Sequence, residues 1–298
     1  MTVARTFVSV VLCALVFSCC SLCAGCDRDS DTGAEAPPRQ VVLYTSVDQE
    51  VAEPIIAEFE RQTGIDVLPR FDSEASKTVG LVNAIRAEAN APVADVFWSS
   101  EVFHTIRLAE DGLLAPYPDT PEAWPAHLVG QDKLWHGLAV RARVLCWRKD
   151  RVSDAEAPSR LEDVLDARWK GRLVMARPTF GTTGGDVASW FVHYGDDRAK
   201  EIIQGLKAND IRVVEGNATA VREVVNGVAD VCFTDTDDVY AIQRSGHDLG
   251  MAYIDQGGAG VLTIPNTVAV VRGTPHPDAA KQLVDFILAG SVERMLAE

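Results

Sequence analysis

An α/β fold in two lobes is predicted by three observations. Strand-like and helix-like segments alternate along the chain, several strands end in short polar turns, and 298 residues that are 47% hydrophobic exceed what one compact core usually holds. The run VVLYTSV (41–47) is β-branched and reads as a strand. After it Val51, Ile55 and Phe59 recur at four-residue steps until Gly64, the pattern of a helix with one apolar stripe and a glycine stop. Pro54 implies that this helix starts late or is kinked. IDVLPRF (65–71) reads as strand, 76–89 as helix, ADVFW (94–98) as strand, and 101–110 as a helix closed by Asp111-Gly112. The same grammar returns later: RLVMA (172–176) precedes a helix near 185–194, IRVVE (211–215) one over 218–227, and ADVCF (229–233) one over 238–244. Such alternation calls for mainly parallel sheets, in which ligands gather at the carboxyl ends of strands. Those ends are polar here: Thr45-Ser46-Val47-Asp48, Ser99-Ser100-Glu101 and Thr234-Asp235-Thr236-Asp237-Asp238, with a fourth turn, Phe180-Gly181-Thr182-Thr183-Gly184-Gly185.

Residues 7–22, FVSVVLCALVFSCCSL, follow one positive charge at Arg5, are short for a bilayer span, and precede the small residues Ala24 and Gly25. This pattern predicts an export signal over 1–25. Five of the seven cysteines fall within 1–26, so they carry no disulfide framework. The stretch Leu22-Cys23-Ala24-Gly25-Cys26 resembles the lipobox of bacterial lipoproteins, which implies lipid attachment at Cys26, with plain secretion as the alternative. Residues 27–39 are polar, charged and Pro-containing, which suits a flexible tether over 26–39.

The formal net charge is −15, and removing 1–25 deletes only Arg5 from the charged residues, so a nucleic-acid partner is excluded for want of a basic footprint. Cys146 and Cys232 lie in apolar runs and form either a disulfide or, the commoner arrangement, two buried thiols. The FGTTGG turn opens a helix, where backbone amides and the dipole attract anions, yet it lacks the Lys-Ser/Thr ending of a P-loop. The acidic run has a structural reading too, since Thr234 with Asp237 resembles a capping box; an EF-hand is excluded by Tyr240 where glycine is required. No Gly-x-Ser-x-Gly or His-Glu-x-x-His motif occurs and the six histidines are scattered, so an enzyme is not expected. His193 is placed on a helix face, and Trp98, Trp135, Trp147, Trp169 and Trp190 in core or cleft lining.

Several phrases together resemble the ferric-iron-binding branch of the extracellular solute-binding proteins that serve ABC importers. They are VVLYTSVDQEVAEPIIAEFERQTGI, ADVFWSSEVFHTIRLAEDGLLAPY, HGLAVRARVLCWRKD, WKGRLVMARPTFGTTGG, EGNATAVREVVNGVADV and NTVAVVRGTPHPDAAKQLVDFILAG, in the family's order over nearly all of the chain beyond the tether. The resemblance implies a type II periplasmic-binding-protein fold: two lobes of mixed sheet with helices on both faces, two hinge-crossing strands near 138–144 and 262–268, and a ligand clamped between the lobes. Lobe 1 is expected over 40–138 and 266–298, and lobe 2 over 139–265. The chain ends at SVERMLAE, where relatives usually continue.

Ferric members hold iron with paired tyrosines after the strand that matches ADVCF, helped by a histidine and a glutamate, with carbonate or phosphate beside the metal. Here the tyrosine places fall at Thr236 and Asp237, the histidine place at Asp48, and the glutamate place at Ser100 or Glu101. Gly181, Thr182 and Asn217 match the anion-contacting positions, while Asp235 replaces a common asparagine. Candidate ligand-binding residues are therefore Ser46, Asp48, Ser100, Glu101, Gly181, Thr182, Thr183, Asn217, Asp235, Thr236 and Asp237. Of these Asp48, Glu101, Asp235 and Asp237 are candidate oxygen ligands for Fe(III) or another hard cation, with Tyr44 or Tyr240 as lesser contributors. The same groups suit an organic solute, such as an amine, phosphonate or sugar, through charge-assisted contacts. The expected role is a monomeric, lipid-anchored binding component working with a permease and an ATPase. A metal-dependent hydrolase and a sensory module are the alternatives.

Overall fold

The computed structural model describes residues 39–72, 78–122, 124–179, 181–256 and 258–297. Cys26, with the export, anchor and tether readings, and Phe180 lie outside them. The elements run β1 (Gln40–Thr45), α1 (Gln49–Thr63), β2 (Asp66–Phe71), α2 (Val79–Ala87), β3 (Val96–Ser99), α3 (Phe103–Glu110), β4 (Leu114–Ala115), β5 (His136–Arg148), β6 (Leu173–Ala176), α4 (Gly181–Tyr194), α5 (Asp196–Ala208), β7 (Arg212–Val214), α6 (Asn217–Val225), β8 (Val231–Asp235), α7 (Thr236–Arg244), β9 (Leu249–Tyr253), β10 (Thr263–Val271), α8 (Pro277–Ile287) and α9 (Gly290–Ala297). None of the described helices is long and apolar enough to cross a membrane.

The strands pair in the order β2-β1-β3-β10-β5-β8-β6-β7, with β4 also on β10 and β9 also on β5. Pairing is parallel for β1 with β2 and β3, and for β6 with β7 and β8. The long strands β5 and β10 run antiparallel to their neighbours and to each other, and join the two halves of the sheet. Near their crossing, register shifts between Ile264 and Asn266, Ala139 takes φ +45°, and Asn266 Nδ2 donates to the Ala139 carbonyl at 3.1 Å.

Two-residue periodicity explains why the strands read as continuous apolar runs: both faces are covered. Val41 and Leu43 of β1 pack with Phe59 and Leu283 on one face, while Val42 and Tyr44 meet Leu81 and Leu108 on the other. In the second half, Leu145 and Phe233 join Trp169 and Trp190, whereas Val144 and Cys232 join Val221 and Val239. Cys146 and Cys232 face each other across β5 and β8 as buried free thiols.

Several boundaries differ from those expected. The first helix runs through Pro54 and ends at Gly64, whose φ of +64° lets its amide reach the Glu60 carbonyl at 2.9 Å. The helix expected over 101–110 starts at Phe103, because Glu101 caps it rather than joining it. The helix expected near 185–194 begins at Gly181, so the glycine-rich turn is its first turn. His193 is exposed on that helix.

Candidate functional site

Four elements of the parallel halves deliver helix starts to one cleft of about 430 Å³. β1 leads through Asp48 into α1, β6 through Arg177 into α4, β7 through Glu215 and Gly216 into α6, and β8 through Asp235 into α7; residues of each junction line the cleft. The loop after β3 adds Ser100, and the start of α2 adds Thr78. Each helix start brings amides without intrahelical partners and the positive end of a dipole, so the cleft favours oxygen-rich groups before any side chain is counted.

Asp235 is the polar centre of the second wall and is 1% exposed. Its Oδ1 accepts from Arg143 Nη1 at 2.6 Å, and its Oδ2 from the Thr182 hydroxyl at 2.6 Å and Asn217 Nδ2 at 2.9 Å. Asn217 Nδ2 also reaches the Thr182 hydroxyl at 2.8 Å, and Thr183 donates to Asn217 Oδ1 at 2.9 Å. Arg143, buried to the same degree, also donates through Nε to Asp186 at 3.1 Å. Burial acts to raise the Asp235 carboxyl, but the Arg143 and Arg141 charges and the Thr182 hydrogen bond hold it below the usual value. Asp186 goes the other way, because its burial outweighs the single Arg143 guanidinium.

Asp237 and Asp238 stand on the first turn of α7, where the dipole favours carboxylates. Asp237 is half exposed and accepts from Arg141 Nη1 at 3.1 Å. Asp238 accepts from the Thr234 hydroxyl at 3.0 Å and is pushed up to about 7 by burial and by the like charges of Asp237 and Asp235. Carboxylate oxygens of Asp235, Asp237 and Asp238 lie within 4.8 Å of one another, a spacing that a hard cation can bridge. Arg141 projects from β5 between the walls: besides Asp237 it lies 3.8 Å from Asp235 and donates to the Ser100 carbonyl of the other half.

The expected site residues sort into three groups. Asp48, Ser100, Gly181, Thr182, Thr183, Asn217, Asp235 and Asp237 line the cleft together. Ser46 and Thr236 are buried behind it: the Ser46 hydroxyl accepts from the Ser100 amide at 3.0 Å, and the Thr236 hydroxyl from the Ala142 amide at 3.2 Å. Glu101 is not among the residues that line the cleft. Its carboxylate accepts from the Phe103 amide at 2.5 Å and the His104 amide at 3.2 Å, and pairs with His104 Nδ1 at 3.0 Å, because the open amides of α3 claim it first. Tyr44 is likewise engaged elsewhere, donating to Glu88 at 3.0 Å and accepting from Arg70 at 2.9 Å, and Tyr240 is exposed beside Tyr253.

Arg141, Arg143 and Thr78 are not singled out from sequence, and Asp238 enters there only as part of the acidic run and not as a candidate ligand. For the arginines a signal existed: two guanidinium residues at alternate positions in the apolar strand AVRARVLC point to one face, where burial demands carboxylate partners.

Comparison with known proteins gives a consistent picture. A family model described as bacterial extracellular solute-binding protein matches residues 54–298. Iron uptake protein A1 of Synechocystis sp. is 27% identical over 99% of this chain and 84% of its own length. The major ferric iron-binding protein of Neisseria meningitidis serogroup B is 24% identical over 89% of this chain and 80% of its own. Among solved structures, iron-bound HitA from Pseudomonas aeruginosa superposes with a TM-score of 0.80 at 27% identity, over 87% of this chain and 84% of that one.

Proposed function

The chain belongs to the bacterial extracellular solute-binding proteins, and from that premise we propose that it is the capture component of an ABC importer whose cargo is ferric iron held with a small anion. The observation that carries this reading is the triad Asp235, Asp237 and Asp238, whose carboxylate oxygens lie within 4.8 Å of one another in a cleft ringed by helix starts. Hard anionic oxygens suit a small trivalent cation, and carboxylates take the part that phenolates play in ferric members. The relatives named for iron uptake and ferric iron binding support the same cargo. An anion such as carbonate, phosphate or citrate completes the charge balance at the starts of α4 and α6.

Binding is reversible and involves no covalent step. Lobe 1 over 40–138 and 266–298 and lobe 2 over 139–265 hinge at β5 and β10, and cargo that touches both walls shifts the population toward the closed form. The bulge at Ile264 to Asn266 and the positive φ of Ala139 are suited to absorb that rotation. Export through 1–25 and a lipid on Cys26 with a tether over 26–39 hold the body beside its permease and ATPase. The test is thermal melting of residues 40–298 after chelation, with Fe(III) in carbonate or citrate. A rise in melting temperature that Asp237→Ala abolishes supports the reading; no rise overturns it.

A second reading, a small organic solute, draws on Arg141 and Arg143. They neutralise part of the acidic cluster and leave a mixed surface able to orient hydroxyl, amine and oxyanion groups. Amine, phosphonate and sugar panels in the same assay discriminate it.

A further inference from the structure

Thr78, the residue before α2, combines two unfavourable features at the wall of the cleft. It is 0% exposed with its hydroxyl oxygen unpartnered, and its backbone takes φ +71°. A β-branched residue in the left-handed region is strained, and glycine would sit there without that strain. A buried hydroxyl without a partner is likewise unfavourable. The Thr78 carbonyl accepts the Val82 amide at 3.0 Å, a helix bond that any residue makes. Paired unfavourable features of this kind gather where a site is organised for a ligand.

The surroundings define what that ligand group is. The Leu81 amide already reaches Asp72 at 3.4 Å, while the amides of Val79 and Gly80 precede the first intrahelical bond of α2 and share its positive end. A hydroxyl able to donate, beside such amides, disfavours a bare cation and fits an anionic oxygen. Across the cleft, by contrast, Thr182, Thr183 and Asn217 already use their side chains on Asp235 and on one another.

We infer that Thr78 and the first turn of α2 form an oxyanion subsite on the first wall, which receives a phosphate or carboxylate oxygen of the captured solute or of the anion that accompanies it. The inference rests on the reading that this cleft is the solute site and adds the chemistry of its first wall. An anion that also meets the starts of α4 and α6 then spans both walls, so its binding favours closure.

Inorganic phosphate titrated into metal-free protein by calorimetry is the test. Wild type and Thr78→Ser should bind, while Thr78→Val and Thr78→Gly should each lose about tenfold or more in affinity, the worth of one hydrogen bond to a charged group. Thr78→Gly should melt no lower than wild type, which guards against misfolding as the cause. Equal phosphate affinity across all four proteins, or no binding by wild type, overturns the inference. Fe(III) titrated in phosphate-free buffer reads the iron proposal separately, through Asp237→Ala.

Discussion

Replacing Arg143 by methionine tests whether the cleft is organised around a buried charge network. Arg143 is 1% exposed and bonds Asp235 at 2.6 Å and Asp186 at 3.1 Å, so methionine fills similar volume but leaves two buried carboxylates facing each other. Breaking a buried pair by removing one partner costs about 3–5 kcal/mol. At roughly 2–4 °C per kcal/mol for a body of this size, the melting temperature at pH 7 should fall by about 6–20 °C. The sign of the pH dependence is diagnostic. Without Arg143 the two carboxyls titrate above their unfolded values, so the folded chain binds protons that the unfolded chain does not, and stability is regained as pH falls. Urea unfolding of wild type, Arg143→Met, Asp235→Asn and the double variant measures both points, and the cycle should return a coupling of about 1 kcal/mol or more. A loss below about 1 kcal/mol with no recovery in acid would refute the network.

Three further outcomes are expected. Asp238, ordinarily near 3.8 and pushed up to about 7 here, makes the metal-free protein lose stability as pH rises through about 7; Asp238→Asn should flatten that slope in melts from pH 5 to 8. For the same reason, Fe(III) affinity measured by competition with citrate should weaken below about pH 7 in wild type. Glu101→Ala should cost about 1–2 kcal/mol, as loss of a helix cap does, while leaving the affinity for Fe(III) unchanged; a large loss of affinity would return Glu101 to the cleft.

What the sequence made legible follows from where the physics is local. Strand and helix alternation survives because each element carries its own periodicity, and Val41 with Leu43 or Val231 with Phe233 sit where that alternation places them. The acidic run at 235–238 was legible as a cluster because neighbouring residues on one helix turn cannot separate. Its partners were not, since Arg141 and Arg143 meet Asp235 only through the antiparallel pairing of β5 with β8, which no local pattern encodes. Glu101 stands apart from the cleft lining because a carboxylate two residues before a helix is within reach of its open amides, a contact that the residue type alone does not announce. Thr78 was invisible for another reason: its unusual feature is a backbone angle, and threonine is an ordinary choice before a helix.

The central claim, capture of ferric iron by the carboxylates at the start of α7, is tested most directly by calorimetric titration of Fe(III)-citrate into the chelated protein beside Asp237→Ala. The account predicts one saturable site per chain in wild type and none in the variant, whose melting temperature without iron stays close to wild type because Asp237 is half exposed. Equal binding by both proteins, or no heat with iron while an organic solute stabilises wild type, would contradict it.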